Sequence, residues 1–493
     1  MKAAAPAPPA KRRSTSTLLD PGRRCQTRLP DEPRTADSAA WFAVTAGVLS
    51  GVAPLLIIGS TPLDEASSSV WPWAWLLTVL VGLRYAWLVA SGSRRLYELI
   101  FWLFTYVFLG LAPLAQMRTA HYAGTTPDLD PRLNGRVLLV VGVACVAFAL
   151  GVVVAGQRPL PAAGADRPGV VMHRLLLLTA LALAVTAYYV SKIGIPVLFS
   201  NRAQRTAAEA ALWPDGTVQA IVKAAATLPL VVSFVALIRL RNQRHQAGAK
   251  GPAALVCLVL VALFVVVNPI TSPRYVFGTA VLALCAALGV TSTPQRTRVF
   301  ALVLAAGLVL VFPYADLTRR ANTATELSLG PAQSLSSSDF DAFDQLNNIV
   351  ALVRDEGTVG GHQLAGAALF WVPRSVWSAK PRDTGIVVAE YRGYRFQNLS
   401  APLVGEFFLN GGWVLLGAGM ALLGFAVRRL DQGLLASKLR APGQGVLASV
   451  LPFYLVLVLR GSLLQSMAGL TVLVGCAAII SSRRTPAEVP LRH

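Results

Sequence analysis

Twelve apolar runs punctuate this chain, and nothing else in it constrains the fold so tightly. They lie near 41–60, 70–90, 96–115, 137–156, 174–190, 218–238, 253–269, 275–291, 298–315, 401–427, 445–460 and 462–480. About 20 consecutive apolar residues carry an α-helix across the roughly 30 Å hydrocarbon layer of a bilayer. Within lipid every backbone N–H and C=O must be satisfied inside its own segment, so runs of this kind become helices. The expected fold is all-α: a polytopic integral membrane helical bundle of about 12 transmembrane helices. Composition agrees, with 54% hydrophobic and only 14% charged residues, where a soluble chain averages about 25% charged. An ordinary soluble enzyme is excluded.

The net charge of +20 would suggest nucleic-acid binding if the basic residues formed a block. They flank the apolar runs instead, so no nucleic-acid partner is expected. Four cysteines, Cys145, Cys257, Cys285 and Cys476, fall inside apolar runs and Cys25 in a polar stretch. None has metal spacing, and neither disulfides nor zinc are expected.

Charge between the runs sets the topology. With the N-terminus inside, 26 of the 44 Lys and Arg fall on inside segments and 16 outside, while Arg84 and Lys223 lie within spans. Acidic residues distribute oppositely, 16 outside and 7 inside, with Glu98 in a span. This satisfies the positive-inside rule with an even number of spans and both termini cytoplasmic. The reading divides the chain into a disordered basic tail (1–39), helices one to nine (40–317), an extracytoplasmic cap (318–400), helices ten to twelve (401–480) and a second tail (481–493). The first run reads as a signal anchor, because no cleavable leader precedes it.

A loop as long as the one between the ninth and tenth runs is usually functional or disordered. Here Phe340, Phe343, Leu346, Val350 and Val353 recur at helical spacing,. Ser338 suits the start of that helix, with Asp339 and Asp341 in its first turn. Arg354 and Gly357 suit its end. The apolar stretch Leu364–Val372 is too short to span and reads as an interfacial or re-entrant helix. Trp371 and Trp377 fit headgroup level.

No GxxxxGK[ST], HExxH or dinucleotide fingerprint occurs, so no nucleotide cofactor is expected. Two DxD strings, Asp128-Leu-Asp130 and Asp339-Phe-Asp341, are short enough that loop polarity and helix capping account for them, and no metal is assigned. The arginines carry more. Arg202 and Arg205 follow the fifth run, Arg274 with Tyr275 closes a short outer turn, Arg319 and Arg320 follow the ninth run, and Arg374 and Lys380 lie in Pro373–Arg382. Singly each suits snorkelling or a loop ion pair. Together, on the side the positive-inside rule disfavours, they read as a diphosphate site, because the guanidinium fork grips phosphate oxygens bidentately. Glu406 stands at the outer start of the tenth run, where an ionisable group is a functional candidate or a first-turn glutamate stabilised by the helix dipole. His362, in Gly360-Gly-His-Gln363, is a second candidate base,. Glu98 and Asp316 read as partners of basic neighbours.

Phe370-Trp-Val-Pro-Arg-Ser-Val-Trp377, Lys380-Pro381, Thr384-Gly385 and Leu403-Val-Gly-Glu-Phe-Phe-Leu-Asn-Gly-Gly412 follow Asp339-Phe-Asp-Ala-Phe-Asp344 in order. With Gly194-Ile-Pro-Val-Leu-Phe-Ser200, Arg202, Asn268-Pro269 and Arg274-Tyr275, this order resembles the oligosaccharide repeat-unit polymerases, the Wzy-like O-antigen polymerase family, over about residues 190–425. The resemblance implies transfer of a growing glycan from undecaprenyl diphosphate to a sugar hydroxyl of the next lipid-linked repeat unit, on the outer face of the bacterial cytoplasmic membrane. It implies no cofactor, because the leaving group is already a diphosphate, and it implies a chain-length regulator as partner. O-antigen ligases share the architecture, and a lipid-linked oligosaccharide flippase is the alternative from another class. The topology is checked by labelling Ser337→Cys from outside intact cells: labelling is expected, and protection until lysis overturns it.

Overall fold

The computed structural model describes residues 35–63, 65–158, 170–246, 248–311, 334–397, 399–440 and 445–481. Most of the expected N-terminal tail, Asp316, Arg319, Arg320 and nearly all of the C-terminal tail lie outside the described residues. Among those described, the chain is all-α, and its extended pairing is one isolated bridge, Val170 with Ser481.

The first helices are α1 (Asp37–Ser60), α2 (Trp71–Ser91), α3 (Leu96–Thr119), α4 (Pro131–Gln157) and α5 (Met172–Ile193). Then come α6 (Arg202–Leu212), α7 (Val218–Asn242), α8 (Ala253–Val266), α9 (Arg274–Ala287) and α10 (Pro294–Ala306). The cap follows as α11 (Ala342–Glu356), α12 (His362–Ala368) and α13 (Thr384–Arg392). The last three are α14 (Leu403–Leu434), α15 (Val446–Arg460) and α16 (Leu463–Ile480). Every apolar run of the sequence thus meets a helix. Eight described helices, α1 to α5, α7, α14 and α16, are long and apolar enough to cross a membrane. The runs at 253–269, 275–291 and 445–460 give helices of only 14, 14 and 15 residues. Prolines and turn residues stop them: Pro252 precedes α8, and Pro269 and Pro273 bracket the turn before α9,.

Helix α3 is the axis of the bundle, with its whole apolar window buried. Phe101 stacks on Phe148 of α4 at 3.5 Å between centroids, and the Tyr106 hydroxyl donates to Leu49 O at 2.7 Å. Both α1 and α3 contain a π-helical turn, Gly47–Val52 and Val107–Leu111. Each lies just before a proline, Pro54 or Pro113, whose ring and missing N–H disrupt the regular ladder, and the wider turn absorbs the mismatch.

Hydrogen bonds sort the loops into two ends. At one end Arg118 holds Thr61 O at 2.6 Å, Ser68 N donates to Met117 O, and the cap sits on both. At the other, Asp431 accepts from Tyr97 N and Glu98 N, each at 3.1 Å, and Arg298 holds Ala90 O at 2.9 Å. Glu98 is paired there with Arg84 and with Arg95, the role expected of it. Trp41 and Ile480 both lie at the end away from the cap, by way of Arg298 and Val171. The loops after α1 and α3 thus lie at the capped end and the loop after α2 at the other.

Helix α14 is discontinuous. Gly411 and Gly412 leave helical geometry, and Gly412 has φ 57 and ψ −142, which only glycine adopts without strain,. A short leading segment, from Leu403 to Asn410, is thereby offset from the long span that follows. That span packs on α4 through two glycines: a Cβ at Gly151 would overlap Ala421 O, and one at Gly424 would overlap Phe148 O. Small residues let membrane helices approach to backbone contact. Gly151→Leu or Gly424→Leu should cost at least about 1–3 kcal/mol, since the obstacle is backbone that has no rotamer to change. A lower melting temperature and loss of a monodisperse detergent-solubilised peak are expected; wild-type behaviour of both variants would disprove the contact.

Candidate functional site

At the capped end the first turn of the loop helix carries three aspartates with distinct partners. The helix begins as a 3-10 turn, Ser338–Phe340, and only then becomes α11. Ser337, one residue before the expected Ser338, is the N-cap of that turn and makes no side-chain cap hydrogen bond, while the Ser338 carbonyl accepts from Arg460 at 3.2 Å. The expected capping role of Asp339 and Asp341 is replaced by ion pairing. Arg274 donates to Asp339 at 2.5 Å, and Arg460 to Asp341 at 2.9 Å. The guanidinium of Arg460 lies 4.6 Å over the Tyr275 ring, whose hydroxyl donates to Asp339 O at 3.0 Å. Ser400 closes the group by donating to Asp341 at 2.9 Å. The apolar spacing of α11 is used as expected, since Phe340, Phe343, Leu346 and Val350 are fully buried.

Three residues beyond Arg460 the chain enters a second cluster. Leu463 N donates to Glu406 Oε1 at 3.1 Å, and Thr384 Oγ1 donates to Oε2 at 2.9 Å. Glu406 is 1% exposed. A carboxylate accepts at about four lone-pair positions, and these two contacts leave both of its oxygens able to accept again. Asn410 fixes the segment carrying it: its Nδ2 donates to Glu406 O at 2.7 Å, and its Oδ1 accepts from Leu364 N at 3.1 Å. Asp383 caps α13 by accepting from Gly385 N at 2.9 Å, and burial raises its pKa.

An apolar groove of about 1000 Å³ leads to the first cluster from the side. It runs between α3, α9, α10 and α15, with Arg274 and Tyr275 at the capped end and Gln295 and Arg296 at the other. Gly278 and Gly307 line it, and a Cβ at either would meet nothing within 4 Å.

The remaining expected site residues are placed otherwise. Arg205 is buried on α6, with its donors consumed by Glu209 at 3.0 Å, Thr271 at 3.1 Å, Ser272 at 3.2 Å and Tyr189 at 3.0 Å. It locks α6 to the turn before α9. Arg202, on the same helix, is exposed. Arg374 donates to Lys380 O at 2.6 Å and Pro381 O at 3.0 Å, and Lys380 donates to Phe370 O and Val372 O at 2.6 and 2.9 Å. These two cations staple the loop after α12, because its turn leaves carbonyls that no helix satisfies. Arg374 thus holds its own loop, whereas Arg274 holds Asp339. His362 Nε2 lies 2.9 Å from Ala379 O, against the edge of Trp377, and holds the same loop. The expected short helix over 364–372 ends at Ala368, and Trp371 beyond it is exposed. Arg460, at the end of the run 445–460, has no role in the sequence reading, and Thr384 enters it only as part of the Thr384-Gly385 motif. A charged residue in an apolar stretch was the available signal for Arg460.

Comparison with protein-family models, with characterised proteins and with solved structures finds no match for this chain.

Asp344, the third aspartate, accepts from Ala123 N at 2.8 Å and Thr126 Oγ1 at 3.4 Å. Burial pushes its pKa up to about 8, so the folded cap holds a proton that the unfolded chain releases above about pH 4. The stability this contributes is complete below about pH 4 and is lost as pH rises through about 8. The melting temperature should therefore fall between pH 5 and 9, by roughly 2–4 °C for each kcal/mol lost. Asp344→Asn should flatten that fall, and an unchanged slope in the variant would refute the assignment.

Proposed function

We propose that this protein is a membrane glycosyltransferase that polymerises lipid-linked oligosaccharide repeat units, drawing its donor from a polyprenyl diphosphate. The observation that carries the reading is the turn from Arg460 to Leu463. Its first residue belongs to the arginine–tyrosine group at the mouth of a lipid-facing groove, and its last N–H holds the Glu406 carboxylate. An isoprenoid chain suits the groove, and a diphosphate suits Arg274 and Arg460. Both arginines already hold carboxylates, and phosphate oxygens exchange with Asp339 and Asp341 in kind. Arg202, and Arg319 and Arg320 from the sequence, remain candidates for the same headgroup.

The chemistry needs no nucleotide. The bond between the anomeric carbon and the diphosphate oxygen breaks, and a bond to the acceptor hydroxyl oxygen forms. Negative charge develops on the departing diphosphate, where arginine donors stabilise it. The hydroxyl proton passes to Glu406, which Thr384 and Leu463 N hold in place, and a fixed base suits proton transfer at 2.6–3.2 Å. The outer face of a bacterial cytoplasmic membrane is where such substrates meet. A chain-length regulator is the partner proposed with it.

The break at Gly411–Gly412 favours a second reading, since discontinuous helices also build transporter sites. Complementation of a deletion strain separates the two. Glu406→Gln should lower chain elongation by about 10²–10⁴-fold and leave single repeat units on the carrier. Arg460→Lys should also fall sharply, because the ammonium lacks the bidentate fork. Repeat units trapped on the cytoplasmic face would establish the transporter, and full chains left unattached would establish a ligase. An active Glu406→Gln with an inactive His362→Ala would move the base to His362, and normal ladders in all three variants would sink the proposal.

A further inference from the structure

The groove has a second charged end, and its chemistry differs from the first. Arg274 at the capped end is neutralised by Asp339. Arg296 at the opposite end donates to Ser292 Oγ at 3.1 Å and makes no ion pair among the described residues. A guanidinium has five N–H donors, so most of its capacity faces outward. Its position is set by α10. Arg296, Val299 and Val303 lie at helical spacing and all line the groove, and Val299 and Val303 are 47% and 64% exposed. The arginine therefore tops a lipid-facing stripe.

Depth follows from length. Helix α9 has 14 residues, about 21 Å at 1.5 Å per residue, against a hydrocarbon layer of about 30 Å. The turn that ends it is itself apolar and exposed, with Leu288 at 62%. A short wedge of this kind thins the bilayer around it, which brings phosphate level down to Arg296 and the neighbouring Thr293 and Gln295.

We propose that the Arg296 end of the groove binds one anionic glycerophospholipid from the leaflet on that side. The headgroup phosphate would sit on Arg296, with its acyl chains along Val299, Phe300 and Val303. Charge complementarity selects the occupant: an unpaired arginine above an apolar trough favours a net-negative headgroup over a zwitterionic one, and basic pockets between spanning helices commonly bind such lipids. The inference is independent of the glycan reading, since it concerns the other end of the groove and none of the residues given roles there.

Native mass spectrometry of the detergent-purified protein tests it, with phosphatidylglycerol and phosphatidylcholine of identical chains as probes. The wild type should retain phosphatidylglycerol preferentially. Arg296→Gln should lower that preference by about fivefold, the worth of one basic residue at a membrane surface. Arg296→Lys should keep most of it. Arg241→Gln removes an exposed arginine in the last turn of α7, outside the groove lining, and should change nothing. Equal retention of the two lipids by the wild type would overturn the proposal without any variant. An equal loss in Arg241→Gln and Arg296→Gln would overturn it too, by assigning the preference to the basic end as a whole.

Discussion

An arginine at the end of an apolar helix must find a counter-charge or drag water into the bundle. Arg460 finds Asp341, and much of the capped end is arranged around that pair. The aspartate lies at the start of α11, so the ion pair fixes the cap helix to α15. Ser400 binds the same carboxylate and brings in the chain just before α14. The face of Tyr275 covers the guanidinium, which ties in α9. Desolvated charges of this kind interact strongly and are costly to separate, so one pair orders four segments distant in sequence. The position of Glu406 follows, because its N–H donor belongs to the next helix, three residues after Arg460.

The short helices give the groove its shape. Full-length α3 stands behind it, while α9 and α15 stop after 14 and 15 residues. Where short helices meet a long one, apolar surface remains that no neighbour covers, and in a bilayer that surface belongs to lipid. Glycine at 278 and 307 deepens it. A trough of this sort gives a lipid-borne substrate a route to polar residues without passage through water. It also gives ordinary lipids a place to bind, so competition and support between the two become properties of one surface.

Charge on the cap divides its labour. Arg374, Lys380 and His362 bind carbonyls of their own loop, and Arg205 is surrounded by four partners. These residues build the frame. Arg274 and Arg460 hold carboxylates, which a stronger anion of the same geometry can replace. Donors satisfied by backbone carbonyls have no such exchange available, since a displaced carbonyl would be left unpaired at a cost of about 1–3 kcal/mol.

The sequence by itself determined the all-helical membrane bundle, the position of each apolar run and the helix buried by Phe340, Phe343, Leu346 and Val350. These follow from local rules: backbone groups in lipid must bond within their own segment, and side chains repeat at the helical period. It also marked Glu406 and Arg274 as charges at membrane level. The tertiary structure decided which apolar runs become long helices and which stop at 14 or 15 residues, where α14 breaks, and how each arginine is employed. Arg374 and Arg460 look alike as charges beside apolar stretches. One turns to its own loop and the other reaches a carboxylate 119 residues away. A side chain's use depends on the acceptors that packing brings within about 3 Å, and that information exists only once the helices have met.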